Sequence, residues 1–223
     1  MQARLTRTAV TLDASTNAYG EGRLVTATLD APMSSAAELP LPFPRLLDIL
    51  EDLDQRIPEG FKVEIVGGGI FMSPWSRGSY MPIMNELVKQ LSGHAPEGHM
   101  TAGFPCLFVF SEVQRAFGPD IYVADADAVN VPSIRLPGEA LSLAAELTST
   151  STRGNDWGDK LEAYGRAGVP VYLLVDMQKE TVSVFSAPSG HGYQSSSTVE
   201  FGQKIHIPEP FDFTLDTSSF SVA

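Results

Sequence analysis

The sequence predicts one α/β domain, a mixed β-sheet flanked by two or three helices and followed by antiparallel hairpins. Three observations predict it. Leu141–Leu147 and Val171–Val175 are apolar on both faces, as central strands covered on both sides must be, and a helix-patterned segment separates them. Phe61–Val66 alternates, and Gly67-Gly68-Gly69 then supplies the turn conformations of a hairpin into Ile70-Phe71-Met72. From Thr181 onward, short strand-like runs are joined by Gly and Pro turns.

Residues 1–40, rich in Ala, Thr and Ser, are expected to form a disordered or loosely attached leader, with residues 41–223 as a single domain. From Pro44, the residues Leu46, Leu47, Ile49, Leu50 and Leu53 share one face of a helix that caps the core, and Pro58 and Gly60 end it. A second helix is expected around Met81–Leu91, with Pro82 in its first turn and Ile83, Leu87 and Leu91 at helical spacing. Short strands follow near Met100–Ala102 and Leu107–Phe110, then a charged link over Ser111–Ala116. The strand Ile121–Ala124 opens from Pro119-Asp120, a step that suits a strand's first position. Asp125 and Asp127 read as turn formers ahead of metal ligands, and Val131–Glu139, with two prolines, as a surface loop. A helix capped by Asn155 or Asp156 is expected to run to about Arg166, with Asp156, Lys160 and Tyr164 on one face. Gly168 stops it before Val171–Val175.

Composition narrows the function. The chain has 223 residues, enough for one sizeable core, and its 43% hydrophobic and 19% charged content is that of a globular protein. The lone Cys106 cannot form an internal disulfide, no signal-peptide pattern opens the chain, and no stretch nears the roughly 20 apolar residues of a membrane helix. A cytoplasmic location is the simplest expectation. The formal net charge of −12 argues against non-specific attraction to nucleic acid, although a bound metal can invert the field at one site. There is no Gly-x-Ser-x-Gly elbow and no base near Cys106 in sequence, which leaves a metal-independent hydrolase with little support.

Glu146 is the most informative residue. A carboxylate near the end of an apolar strand costs several kcal/mol unless it is paired or bound to a cation. Phosphodiester hydrolysis needs a polarised phosphate and a deprotonated water, which Mg²⁺ held by hard oxygen ligands can provide. Asp120 and Glu146 are such ligands if their strands are neighbours, and Lys160 would then orient the attacking water and offset charge on phosphorus. Glu64, mid-strand before the turn, reads either as an exposed hairpin charge or as an accessory metal or water ligand. His94 and His99 flank a turn with no third ligand spaced to them and read as solvated.

In order along the chain stand Val63-Glu64-Ile65-Val66-Gly67-Gly68-Gly69, Gly118-Pro119-Asp120, Ala145-Glu146-Leu147-Thr148-Ser149-Thr150, Asp156…Lys160…Tyr164 and Gly168–Asp176. Together they resemble the bacterial Uma-two-type family of restriction endonucleases, within the PD-(D/E)XK nuclease superfamily, over roughly residues 46–213. The resemblance implies a restriction-endonuclease-like core and a Mg²⁺-dependent (or Mn²⁺-dependent) endonuclease acting on DNA. Asp120 and Glu146 become the metal ligands, Lys160 the migrated catalytic lysine and Glu64 an additional acidic site residue. The chain departs from the pattern in two places: Thr148 stands where the superfamily carries its lysine, and Ser79-Tyr80 stands where the family tends to carry a histidine. They favour the other reading, a non-catalytic relative that keeps the fold as a binding or regulatory module. A homodimer would suit double-strand cutting.

Overall fold

The computed structural model describes residues 41–54, 61–74, 76–103 and 105–221. The expected leader and the helix stop at Pro58 and Gly60 lie outside the described residues. In chain order the elements are α1 (Phe43–Asp54), β1 (Phe61–Val66), β2 (Gly69–Pro74), α2 (Met81–Ser92), β3 (His99–Ala102), β4 (Leu107–Phe110), β5 (Arg115–Phe117) and β6 (Ile121–Asp125). Then come α3 (Ala126–Val129), β7 (Arg135–Pro137), β8 (Leu141–Leu147), α4 (Arg153–Asn155), α5 (Leu161–Arg166) and β9 (Val171–Asp176). The chain closes with β10 (Thr181–Ser189), β11 (Gly192–Glu200), β12 (Lys204–Ile207) and β13 (Phe213–Asp216). A π-helical turn, Asp156–Lys160, joins α4 to α5, so the three pieces form one rod.

The mixed sheet flanked by helices is present, divided in two. One sheet has the order β2-β1-β5-β4-β7 and the other β11-β10-β9-β8-β6-β3, with β12–β13 as a separate ribbon. In the larger sheet β8 and β9 are parallel and the remaining pairs antiparallel. The rod is the crossover that a parallel pair requires. The chain passes from the first sheet to the second at Gly118-Pro119-Asp120, between β5 and β6. That step places Asp120 in the seam between the sheets. A Cβ on Gly118 would come within 3.0 Å of the Cys106 carbonyl oxygen, so any side chain there would push that backbone aside by a few tenths of an ångström.

Side-chain alternation sorts the core into layers. Leu143, Ala145 and Leu147 of β8 face α2 and the β12–β13 ribbon, packing with Ile83, Leu87, Leu91 and Leu215. Ala144 faces the other way, into an inter-sheet layer of Phe108, Phe110, Phe117, Tyr122, Tyr164 and Tyr172. Glu146, two residues on, shares that inward face. α1 covers the outer face of the smaller sheet through Phe43, Leu46 and Leu50 against Val63 and Ile65.

Two segments read as irregular contain strands. The link over Ser111–Ala116 turns at Gln114, whose φ is 57°, and pairs as β5 with β4 and β1. Within Val131–Glu139, β7 lies parallel to β4 at the sheet's edge and buries Leu136. A three-residue strand offers no periodicity to detect, and Pro137 is tolerated because the position is an edge. Among the described residues no helix is long and apolar enough to cross a membrane.

Candidate active site

Three elements and the inter-sheet crossing bring their polar side chains to one place. On β1, Lys62 and Glu64 are two apart and share the inward face, while Val63 and Ile65 face α1. The crossing supplies Asp120, β8 supplies Glu146, and the rod supplies Asp156, Lys160 and Tyr164. Lys160 Nζ lies 2.9 Å from Glu64 Oε1, 2.9 Å from Glu146 Oε1 and 3.6 Å from Asp156 Oδ1. Its ring neighbour is Phe117, 5.7 Å away. The Tyr164 hydroxyl donates to Glu146 Oε1 at 3.3 Å, and Gly118 N–H donates to Glu64 Oε1 at 2.8 Å.

The four residues expected from sequence therefore belong to one cluster. Glu64, expected either exposed on the hairpin or as an accessory ligand, is 1% exposed and holds Lys160. Asp120 is anchored by Leu147 N–H at 2.9 Å and by the Ser76 hydroxyl at 3.2 Å. Sequence reasoning missed Lys62. Its Nζ donates to Gly118 O at 3.0 Å and lies 3.4 Å from Asp120 Oδ1 and 3.8 Å from Glu146 Oε2. The signal was its i, i+2 spacing to Glu64 on a strand. Asp156, expected to share a face with Lys160 and offered with Asn155 as a helix cap, does not cap the helix; it is 1% exposed and turned to Lys160.

Four carboxyl groups thus face two ammoniums. Burial, reinforced by the negative charges of Asp120 and Asp156, pushes Glu146 up to about 8 against the pull of Lys160 and Lys62. Burial, with Asp120 adding to it, likewise raises Asp156 to about 6. Burial also works against an ionised Glu64, but Lys160 and Lys62 outweigh it and hold this carboxyl below its ordinary value. For Lys62 and Lys160 burial favours the neutral amine, and the surrounding carboxylates overcome it to hold both above the ordinary lysine value.

The residues fit a divalent cation in charge and donor type. Glu64 Oε2 and Asp156 Oδ1 are buried oxygens without a hydrogen-bond partner among the described residues, and the donors are hard. Asp120 from the crossing and Glu146 from β8 reach the same ammonium, that of Lys62, and are a pair that could hold an ion. Among the described residues no group of three or more His, Cys, Asp or Glu is arranged as a metal site. Mg²⁺ does not require one, because it keeps several waters and is commonly held by one or two carboxylates.

Other candidates fall away. His94 stacks on Phe213 with ring centroids 4.1 Å apart, and His99 opens β3. Asp125 caps α3, accepting from Asp127 and Ala128 N–H groups. Thr148 is fully buried and bonds Gln178, Asp176 and Met177 N–H at the end of β9. Tyr80 donates to the Thr148 carbonyl at 3.3 Å. A cleft of about 440 Å³ lies on a different face of the rod, lined by Trp157, Leu161, Phe185 and Tyr193, and the cluster's carboxylates do not reach it.

Among solved structures, the chain is similar to one described as a "putative nuclease belonging to DUF820" from Anabaena variabilis ATCC 29413. The TM-score is 0.58 at 16% identity, over 76% of this chain and 97% of that one, and it shows a shared fold. No curated protein matches the sequence. The family model Uma2, described as "Putative restriction endonuclease", matches residues 50–218, a span holding every residue of the acid–lysine cluster. The chain belongs to the Uma2 family.

Proposed function

We propose that the protein is a Mg²⁺-dependent endonuclease of the PD-(D/E)XK type that hydrolyses phosphodiester bonds in DNA, with Mn²⁺ able to replace Mg²⁺. The observation that carries this reading is the cluster's surplus of carboxyl groups over ammoniums between two sheets, with two carboxyl oxygens that accept no hydrogen bond among the described residues. A purely structural buried network should be neutral and fully bonded. This one is neither.

Asp120 and Glu146 would hold the ion. Bound there, it supplies a Lewis acid for a phosphate oxygen and a more acidic water. The chain's own residues prepare the site. Lys160 is 1% exposed and faces three acidic residues, so we assign it to orienting Glu146 and to opposing the burial that disfavours its charge. Glu64 fixes Lys160 in turn and ties β1 to the crossing through Gly118 N–H. Asp120 is pre-aimed by two hydrogen bonds, which lowers the cost of organising the acid pair.

One observation favours the alternative, a nuclease-fold protein without catalysis: Lys62 already sits between Asp120 and Glu146 as a counter-ion. Plasmid nicking separates the two. The expected outcome is cleavage with Mg²⁺ or Mn²⁺, abolished in Asp120→Ala while circular dichroism stays near wild type. Calorimetry should detect a Mn²⁺ site that Glu146→Gln removes. A wild-type protein that binds no metal and cuts neither DNA nor RNA would overturn the nuclease reading and count heavily for the binding module.

A further inference from the structure

The two lysines of the cluster are not equivalent. Lys160 lies at 2.9 Å from two carboxylates, the distance of a strong charge-assisted bond, and its side chain is 1% exposed. Lys62 approaches its two carboxylates only at 3.4 and 3.8 Å and keeps 10% of its side chain in solvent. Among the described residues its shortest contact, 3.0 Å, is to a neutral carbonyl. Lys160 comes from the middle of a packed rod. Lys62 comes from the end of β1 away from the hairpin turn, one residue into the strand, on a flexible four-carbon stem. The inner ammonium is held by two short ion pairs, while the outer one meets its carboxylates at longer range and is the more exposed of the two. The outer one also stands between the two carboxylates best placed to hold an ion.

We infer that Lys62 is an exchangeable counter-ion of the acid pair. Its ammonium holds Asp120 and Glu146 together without metal and gives way when a divalent cation enters between them. This rests on the metal-dependent reading above. The reason is electrostatic and steric. An ammonium lying against both carboxylates occupies the volume an ion needs, and two positive centres a few ångströms apart repel strongly in a partly buried site. Displaced, Lys62 remains tethered beside the ion at the solvent edge, where its charge can meet a phosphate. Lys160 stays in place, because leaving would strand Glu64 in the interior without a cation.

Mn²⁺ alone is the probe, titrated calorimetrically into wild type, Lys62→Met and Glu146→Gln. Methionine keeps the apolar stem and removes the charge. The expected result is Mn²⁺ binding tighter in Lys62→Met than in wild type, on the order of tenfold or more, because the competing charge is gone. The variant should also unfold at a lower temperature than wild type without Mn²⁺ and gain more from its addition. Equal or weaker binding in Lys62→Met, with the site still lost in Glu146→Gln, overturns the exchange and leaves the metal reading standing. Binding in neither wild type nor Lys62→Met overturns both. Should Lys62→Met fail to fold, the wild type still decides. In nitrogen-labelled lysine NMR, assigned with Lys62→Arg, the Lys62 ammonium signal must shift with Mg²⁺ while that of Lys160 persists. A Lys62 signal that Mg²⁺ leaves unchanged sinks the exchange.

Discussion

Glu146 and Asp176 look alike along the chain, each a carboxylate near the end of an apolar strand. Their surroundings separate them. Asp176 Oδ2 accepts from Arg153 Nε at 2.9 Å and from Trp157 Nε1 at 3.0 Å, and its Oδ1 accepts from the Gln178 and Lys179 N–H groups. Burial works against its ionisation, but the hydrogen bonds from Arg153 and Trp157 prevail and hold its carboxyl below the usual range. Asp176 is a satisfied structural clasp, whereas Glu146 is overcrowded with negative charge. The sign of the clasp's pH dependence follows from its depressed value. Above the ordinary aspartate pKa of about 3.9 its stabilisation is fully present, and it is lost as pH falls through the folded-state value. Asp176→Asn should therefore cost about 2–3 kcal/mol at pH 7, discounted because Arg153 is a third exposed, and should flatten the acid limb of stability. Urea denaturation from about pH 3 to 7 checks both. An unchanged acid limb would mean the clasp is not ionic.

The rod from Arg153 to Arg166 does most to position the cluster. Its π turn sends Asp156 and Lys160 inward, while Asp159 binds Arg115 through contacts of 2.7 Å and accepts from Gly67 N–H in the β1–β2 turn at 2.9 Å. Such turns recur at functional sites because the extra residue re-aims side chains. The rod's other flank lies against the β10–β11 hairpin at Gly165. A Cβ there would come within 2.6 Å of Gly192 C and 2.7 Å of Tyr193 N, and backbone cannot rotate aside. Alanine is the better helix former by roughly 1 kcal/mol, so propensity alone favours Gly165→Ala. The clash wins: a net loss of about 1–3 kcal/mol is expected, read as a lower midpoint in urea. A more stable variant would show that rod and hairpin pack loosely.

At the scale of the whole molecule, a net charge of −12 opposes any approach of DNA. Without a divalent ion the cluster adds to that repulsion. Labelled duplex followed by fluorescence anisotropy should show no binding in EDTA at physiological salt, and binding once non-hydrolytic Ca²⁺ is present. Its salt dependence should be shallow, because few Lys and Arg are available to release counter-ions. Tight binding without metal would contradict this. The strands and helices were largely legible because hydrophobic period is local: β8 and β9 showed as double-faced apolar runs, and α2 as Ile83, Leu87 and Leu91. Glu146 announced itself for the same reason, as a charge inside an apolar run, and the ordered motifs marked the family. Only the tertiary structure decided that the sheet divides at Gly118-Pro119-Asp120, that Glu64 is buried, and that Lys62 lies between the acid pair. Lys62 meets Asp120 across 58 residues of chain. Local sequence sets which way a side chain points from its element, whereas the pairing of distant strands sets what it meets there.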